Sequence, residues 1–251
     1  MQIQLIRHAT LWVEYQGKSI LVDPMFGAAE EYPPIQNATN DRRNPLVPLP
    51  VSIEKINEPD LIIVTHLHND HWDPEAIKSL PKETLIFCQP GDKETIHQSG
   101  FTNVTEVASS VQLSNITFDR TDGEHGTGDI GKKMGQVSGF ILRANDEPTL
   151  YIAGDTIYCD KVTEALDEYQ PDYTVVNAGG ARFAKGDPIT MTPEDVVSVC
   201  RHSPKTKVVA VHMDTINHCL DTRDDLRARL EEEKLSTRVS VPEDGECLSN
   251  E

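Results

Sequence analysis

The sequence lacks the features that mark membrane and secreted proteins. A transmembrane helix needs roughly 20 consecutive apolar residues. The longest uninterrupted aliphatic runs among the 251 residues, such as residues 61–64, are far shorter. The first residues do not combine a basic segment, an apolar stretch and a small-residue cleavage site. We therefore expect a cytoplasmic protein with no membrane insertion.

Cysteine and basic residues are both scarce. The five cysteines are odd in number, lie far apart and form no CxxC pair, which argues against a zinc ribbon or a redox dithiol. The chain has 23 basic and 41 acidic residues, and its formal net charge of -18 repels the polyphosphate backbone of nucleic acids. We expect reduced, structural cysteines and no nucleic-acid partner.

Hydrophobic residues make up 37% of the chain, which is enough for a sizeable core. Strand-like and helix-like segments alternate in both halves, and no Gly/Ser linker separates the halves. Residues 1–251 are therefore predicted to form one domain. That domain could also form a homo-oligomer.

Short apolar segments and turn residues define the predicted elements. Strands are predicted at residues 4–6, 11–15, 19–22, 61–64, 84–87, 139–142, 149–153, 173–176 and 207–211, with two more within 104–118. Helices are predicted at residues 73–80, 93–98, 159–168, 193–200 and 223–233. Residues 27–50 are proline-rich and irregular, and we expect a loop of the kind that covers an active site.

The densest set of chemically active side chains follows the apolar run at residues 61–64. His66 and His68 are two residues apart, so on an extended chain they point to the same side and can share one metal ion. Asp70 and His71 come a turn later, where they can face a second ion roughly 3.5 to 4 Å away. Imidazole and carboxylate without thiolate suit zinc, manganese or iron.

This HxHxDH run after a PDLIIVT strand resembles the metallo-β-lactamase superfamily. In that family the ligands continue with a lone histidine, an aspartate at a strand end and a final histidine, which match His125, Asp155 and His212. An early aspartate that supports the histidine loop matches Asp23. The resemblance implies an α/β fold, a four-layer αββα sandwich.

Carried over to this sequence, the resemblance implies a hydrolase with two divalent ions, zinc or manganese. The seven ligands would divide into His66, His68 and His125 for the first ion, Asp70, His71 and His212 for the second, and Asp155 between them. Hydroxide held between the ions would attack a carbonyl or phosphoryl centre. Asp70 could pass a proton to the leaving group, so Asp70 and Asp155 are the predicted catalytic residues.

The opening RHAT of residues 7–10 and the LVDP of residues 21–24 are similar to one branch of the superfamily. That branch includes the L-ascorbate-6-phosphate lactonase and a phosphodiesterase of N-acyl phosphatidylethanolamines, and it usually has glycine at the position of Arg7. It implies a small, anionic ester or lactone as substrate, with a phosphodiester as the alternative. A non-hydrolytic diiron redox protein of this fold would carry glutamate in place of His68, and a metal-free binding protein would have lost ligands.

Four further polar residues are candidates for contact with a small-molecule substrate: His8, Asn177, Arg182 and His218. His8 could equally be a hydrogen-bonded core histidine, and His218 could have a loop role. Arg182 follows a glycine pair and could clamp a phosphate or carboxylate, or be a solvated turn residue.

Overall fold

The computed structural model describes residues 1–249, and residues 2–22 open its first sheet as an antiparallel meander with two tight turns. Buried and half-buried side chains alternate in residues 11–15, as the sequence pattern predicts for a strand. The sheet has seven strands: β1 (Gln2–Arg7), β2 (Thr10–Tyr15), β3 (Lys18–Val22), β4 (Leu61–Val64), β5 (Leu85–Cys88), β6 (Val104–Glu106) and, from the chain end, β14 (Cys247–Ser249). Their spatial order is β14-β1-β2-β3-β4-β5-β6. Strands β3 to β6 are parallel, so continuous apolar runs such as β4 are buried on both faces.

The second sheet repeats this plan in the second half of the chain. Its strands are β7 (Ser110–Leu113), β8 (Ile116–Asp122), β9 (Ser138–Arg143), β10 (Leu150–Ile152), β11 (Tyr173–Asn177), β12 (Lys207–Val211) and β13 (Val239–Ser240). The order is β13-β12-β11-β10-β9-β8-β7, antiparallel from β7 to β10 and parallel from β10 to β13.

Six helices connect the strands: α1 (Pro74–Ser79), α2 (Lys93–Gln98), α3 (Gly128–Met134), α4 (Asp160–Tyr169), α5 (Pro193–His202) and α6 (Arg223–Glu232), with a 3₁₀ turn at Ile53–Lys55. Local caps explain where several begin. Asp73 accepts a hydrogen bond from the backbone N–H of Ala76, and Thr192 and Thr222 form capping boxes at α5 and α6.

Three apolar layers hold the elements together. One lies between the sheets, where the rings of Phe87 and Phe118 meet edge to face with centroids 5.1 Å apart. A second packs α1 and α2 against the first sheet, and a third packs α4, α5 and α6 against the second sheet. The layer order is therefore helix, sheet, sheet, helix, which confirms the predicted αββα sandwich. Among residues 1–249 no helix is long and apolar enough to cross a bilayer.

One prediction about the elements was wrong, and several elements, β13 and β14 among them, were not predicted. Three strands, not two, cross residues 104–122, because Ser114 adopts a left-handed φ of 54° and turns the chain between β7 and β8. Helix α3 was not predicted, and it has no buried residue that would give an apolar period. Residues 250–251, the end of the predicted single domain, lie outside the described residues.

Candidate metal centre

The parallel strands of both sheets end at one edge of the sandwich. Because these strands are apolar and buried, the first polar residues beyond them emerge together at that edge. Asp23 follows β3, His66 follows β4 by two residues, Asp155 follows β10, and His212 follows β12. All four side chains are almost fully buried.

The first group of ligand atoms comes from His66, His68 and His125. One nitrogen of each ring lies within 4.8 Å of the others. His66 Nε2 is 2.9 Å from His68 Nδ1, and His125 reaches the group from the loop after β8. The three side chains predicted for the first ion are therefore neighbours in space.

The second group contains Asp70, His71 and His212, and His8 joins it. The Asp70 carboxylate lies 3.8 Å from His71 Nε2, 3.6 Å from His212 Nε2 and 3.1 Å from His8 Nε2. His8 occupies the turn between β1 and β2 with a left-handed φ of 63°. Its ring lies 3.6 Å from that of His212, centroid to centroid, and is tilted by 36° against it.

Asp155 lies between the two groups. Its carboxylate oxygens are 3.2 Å from both His71 Nε2 and His212 Nε2, and 3.5 Å from His125 Nε2. No other carboxylate of the described chain approaches histidines of both groups in this way. The structure thus brings together all seven residues predicted as ligands, with Asp155 in the middle.

Hydrogen bonds on the outer side of the rings fix how the histidines point. His71 Nδ1 donates to Asp23 at 2.9 Å, and His125 Nδ1 donates to the carbonyl of Ile189 at 2.7 Å. Since the outer nitrogen is bonded, each of these rings presents its Nε2 to the centre. Asp23 also accepts from the backbone N–H and the hydroxyl of Thr65, each at 2.8 Å, and so ties the histidine loop to β3.

The donor set fits divalent metal ions. His71 Nε2 and His212 Nε2 are buried without a hydrogen-bond partner, which is costly unless another group binds them. Both face carboxylates, and nitrogen with carboxylate oxygen is a donor set of zinc and manganese sites. The ring nitrogens of the first group form a second set of converging donors.

The electrostatics favour the protonation states that metal binding needs at Asp155, His66 and His125, and oppose the one needed at His71. Burial raises the pKa of Asp155, but the charges of His212 and His71 outweigh burial and lower it well below its usual range. Burial lowers the pKa of His66 and that of His125, so both rings stay neutral. For His71 burial is outweighed by Asp155, Asp70 and Asp23, which raise its pKa, and an ion would displace this proton.

The four candidates for substrate contact differ in their surroundings. Asn177 donates to Asp155 Oδ1 at 2.6 Å, and the guanidinium of Arg182 is already paired with both carboxylate oxygens of Asp221, at 2.6 and 3.2 Å. His8 is fully buried behind Asp70. His218 is buried, and burial lowers its pKa to about 4. Contact of these residues with substrate stays a prediction.

Sequence reasoning missed several residues that surround the ligands. Thr65, whose hydroxyl lies 3.1 Å from His66 Nδ1, directly precedes the histidine run, and that adjacency was an available signal. Cys219 Sγ lies 3.5 Å from His212 Nδ1, and nothing in the sequence marks this contact. All five cysteines are free.

Arg7, which replaces the usual glycine, has a structural role in the loop of residues 27–50. Its buried guanidinium donates to the carbonyls of Met25, Gly27 and Val47 at 2.8 to 3.1 Å. The loop is also bonded to the segment after β12, where Asn44 Nδ2 donates to Asn217 Oδ1 at 2.9 Å. The loop is therefore fixed close to the metal ligands.

Comparisons with known proteins agree with this geometry. The Beta-lactamase superfamily domain matches residues 18–213. The UPF0173 protein YddR of Bacillus subtilis (strain 168) is 37% identical over 253 residues, covering 99% of this chain and 100% of that protein.

Two solved structures are similar along the whole chain. The isothiocyanate hydrolase from Delia radicum gut bacteria is 35% identical, with a TM-score of 0.96 and coverage of 100% of this chain and 99% of that one. A protein described as a possible metal-dependent hydrolase, from Veillonella parvula DSM 2008, is also 35% identical, with a TM-score of 0.96 and coverage of 99% and 98%. The chain therefore belongs to the metallo-β-lactamase superfamily and, within it, to the UPF0173 family of metal-dependent hydrolases.

Proposed function

We propose that the protein is a dinuclear metal-dependent hydrolase that adds water to an electrophilic carbon of a small molecule. The position of Asp155 carries this proposal, because its carboxylate reaches histidines of both ligand groups. Two divalent ions bound there would activate water and polarise the substrate. Zinc and manganese are the proposed ions.

An isothiocyanate is the first candidate substrate. The support is the isothiocyanate hydrolase that is 35% identical over the whole chain. The overall reaction is balanced with one water molecule. The water oxygen bonds to the central carbon, the bond between that carbon and the nitrogen breaks, and the nitrogen takes both protons of the water while it keeps its hydrocarbon group. The products are a primary amine and carbonyl sulfide.

The amine nitrogen needs a proton donor close to the ligands. The Asp70 side chain is 12% exposed, whereas that of Asp155 is 3% exposed, so Asp70 is the carboxylate that a substrate can approach. His8 Nε2, 3.1 Å away, holds Asp70 in place. Asp70 is therefore proposed to carry a proton from the attacking water to the leaving nitrogen.

The small anionic ester or lactone predicted from the sequence is the second candidate. Lys133 and Lys185 favour it, since both line one cavity, together with Phe183, and could attract an anion there. The lactonase-like branch indicated by residues 7–10 stays a prediction, as does the phosphodiester alternative.

The test is turnover by protein reconstituted with zinc or with manganese. Loss of 2-phenylethyl isothiocyanate and release of the amine are measured beside carboxyl esters, lactones and phosphodiesters. We expect metal-dependent release of amine that the Asp155→Ala variant does not catalyse. Isothiocyanate loss no faster than with metal-free protein would exclude the first candidate, and turnover of a lactone or ester would then support the second.

A further inference from the structure

A cavity of about 650 Å³ has mainly apolar walls although the chain carries a charge of -18. Four large apolar side chains line it: Ile35, Ile130, Met134 and Phe183. They are partly buried and pack against a small core cluster that includes Ile189 and Ile216. The volume is that of small-molecule sites, which typically measure roughly 300 to 1,000 Å³.

The core cluster behind the walls of this cavity also contacts the metal centre. Ile189, in the core cluster behind the walls, accepts the hydrogen bond from His125 Nδ1, and α3, which supplies Ile130 and Met134, begins three residues after His125. The ring of Phe183 lies 6.1 Å from that of His218, centroid to centroid. His218 is near enough to Asp70 and Asp155 for both charges to affect its pKa.

Hydrogen bonds between loops fix the shape of the cavity. The backbone N–H of Ala184 donates to the carbonyl of Asn37 at 2.7 Å, which joins the two loops on either side of the opening. The backbone N–H of Ile35 donates to Asn217 Oδ1 at 3.0 Å. A site that is already shaped loses less conformational entropy when it binds a ligand.

The charges around the cavity indicate the kind of group it accepts. No carboxylate is among its lining residues, and its charged residues, Lys133 and Lys185, are exposed. A protonated amine would find no carboxylate on these walls, whose polar side chains are those of Gln36, Asn37 and the two exposed lysines. The apolar side chains that form most of the walls suit a neutral hydrocarbon group.

We propose that this cavity, the side-chain cavity, binds the hydrocarbon substituent of the substrate and thereby directs the reacting carbon to the metal ligands. This inference rests on the proposed function for the identity of the reacting group, but the cavity itself can be tested without turnover. Arylalkyl isothiocyanates should therefore be better substrates than methyl isothiocyanate.

The first experiment compares kcat/KM of the zinc-loaded protein for 2-phenylethyl and methyl isothiocyanate. Phe183→Ala should lower the preference for the 2-phenylethyl compound by about tenfold, mainly through KM, because the aryl group loses its contact. Met134→Gln, which is similar in volume but polar, should lower it in the same direction. Leu113→Ala is the matched control, since Leu113 is also partly buried but lies on the distant edge strand β7. An unchanged preference in both cavity variants would overturn the proposal.

A second experiment separates this inference from the proposed function. Binding of 2-phenylethanol, an unreactive probe with the same hydrocarbon group, is titrated by NMR. We expect saturable binding to the wild type and to Leu113→Ala, weakened at least threefold in Phe183→Ala. If no isothiocyanate is hydrolysed but the probe binds in this pattern, the proposed substrate is wrong and the cavity assignment stands. Equal probe binding by all three proteins would contradict the assignment.

Discussion

At the scale of single residues, the site depends on which nitrogen of each histidine is already bonded. His71 and His125 use Nδ1 for Asp23 and for the carbonyl of Ile189, and this leaves Nε2 free to face the centre. An outer partner therefore orients a ligand without touching a metal. Loss of Asp23 and loss of Asp155 should for this reason have different consequences.

Asp155→Ala should abolish binding of the two metal ions as a dinuclear centre, because the two ligand groups lose the carboxylate that lies between them. Asp23→Asn should lower metal affinity about 10 to 100-fold while all seven ligands remain. Competition of each variant with a zinc chelator measures both effects. Asp119→Asn is the control, since Asp119 is buried but pairs with Arg143 on strands away from the site. Wild-type affinity in Asp155→Ala would show that this carboxylate does not bridge the ions.

His218 should make the metal-free protein less stable in acid. Burial lowers its pKa to about 4 from the ordinary 6.5, so below pH 6.5 the unfolded chain takes up a proton that the folded chain does not. Stability is complete above pH 6.5 and declines as the pH falls towards 4. Between pH 7 and 5 the free energy of unfolding should fall by about 1 to 2 kcal/mol more in the wild type than in His218→Gln. Urea unfolding at both pH values measures this, and equal losses would mean that His218 is protonated in the folded protein.

At the scale of elements, the loop of residues 27–50 depends on the buried guanidinium of Arg7. Arg7→Met should lower the free energy of unfolding by about 3 kcal/mol, because three buried carbonyls lose a charged donor. Arg201→Met should cost less than about 1 kcal/mol, since Arg201 forms an exposed ion pair with Glu233. Denaturant unfolding of both variants gives the comparison. Equal, small losses would show that Arg7 does not hold the loop.

The elements that could be predicted from the sequence carry local signals. Thr192 and Pro193 mark the start of α5, and the apolar run of β4 marks a strand buried on both faces. Helix α3 carries no such signal, and its Gly131 is explained by the close approach of the preceding loop, since a Cβ there would lie 2.4 Å from the carbonyl oxygen of Gly126. The short strands β13 and β14 exist because neighbouring strands pair with them at the sheet edges.

The convergence of most of the proposed ligands could be predicted, because they follow apolar strands or lie in one compact motif. His125 follows no apolar run, and only the resemblance to the family pointed to it. The place of His8 beside Asp70 could not be predicted, because it depends on the turn after β1 meeting a loop 62 positions further along the chain. The same holds for Arg182, where Asp221, 39 positions away, occupies the guanidinium predicted to hold an anion. Pairings between distant loops are set by the folded sandwich and leave no local pattern.

At the scale of the whole molecule, the two halves of the chain meet at the proposed metal centre. His66, His68, Asp70 and His71 come from the loop after β4 of the first sheet, whereas His125, Asp155 and His212 follow strands of the second. Bound ions would therefore link the sheets and stabilise the folded state in proportion to their affinity. When the ions are bound, the metal centre would be the most positive region of this strongly acidic protein.

The most direct test of this account is the number of ions that the folded protein holds. Protein stripped with chelator, dialysed against zinc or manganese and freed of excess metal is analysed by mass spectrometry of the elements, with Asp155→Ala beside it. We predict close to two ions per chain in the wild type, with a rise in Tm on reconstitution, and a marked loss in the variant. No retained metal, or the same content in both proteins, would contradict the dinuclear centre.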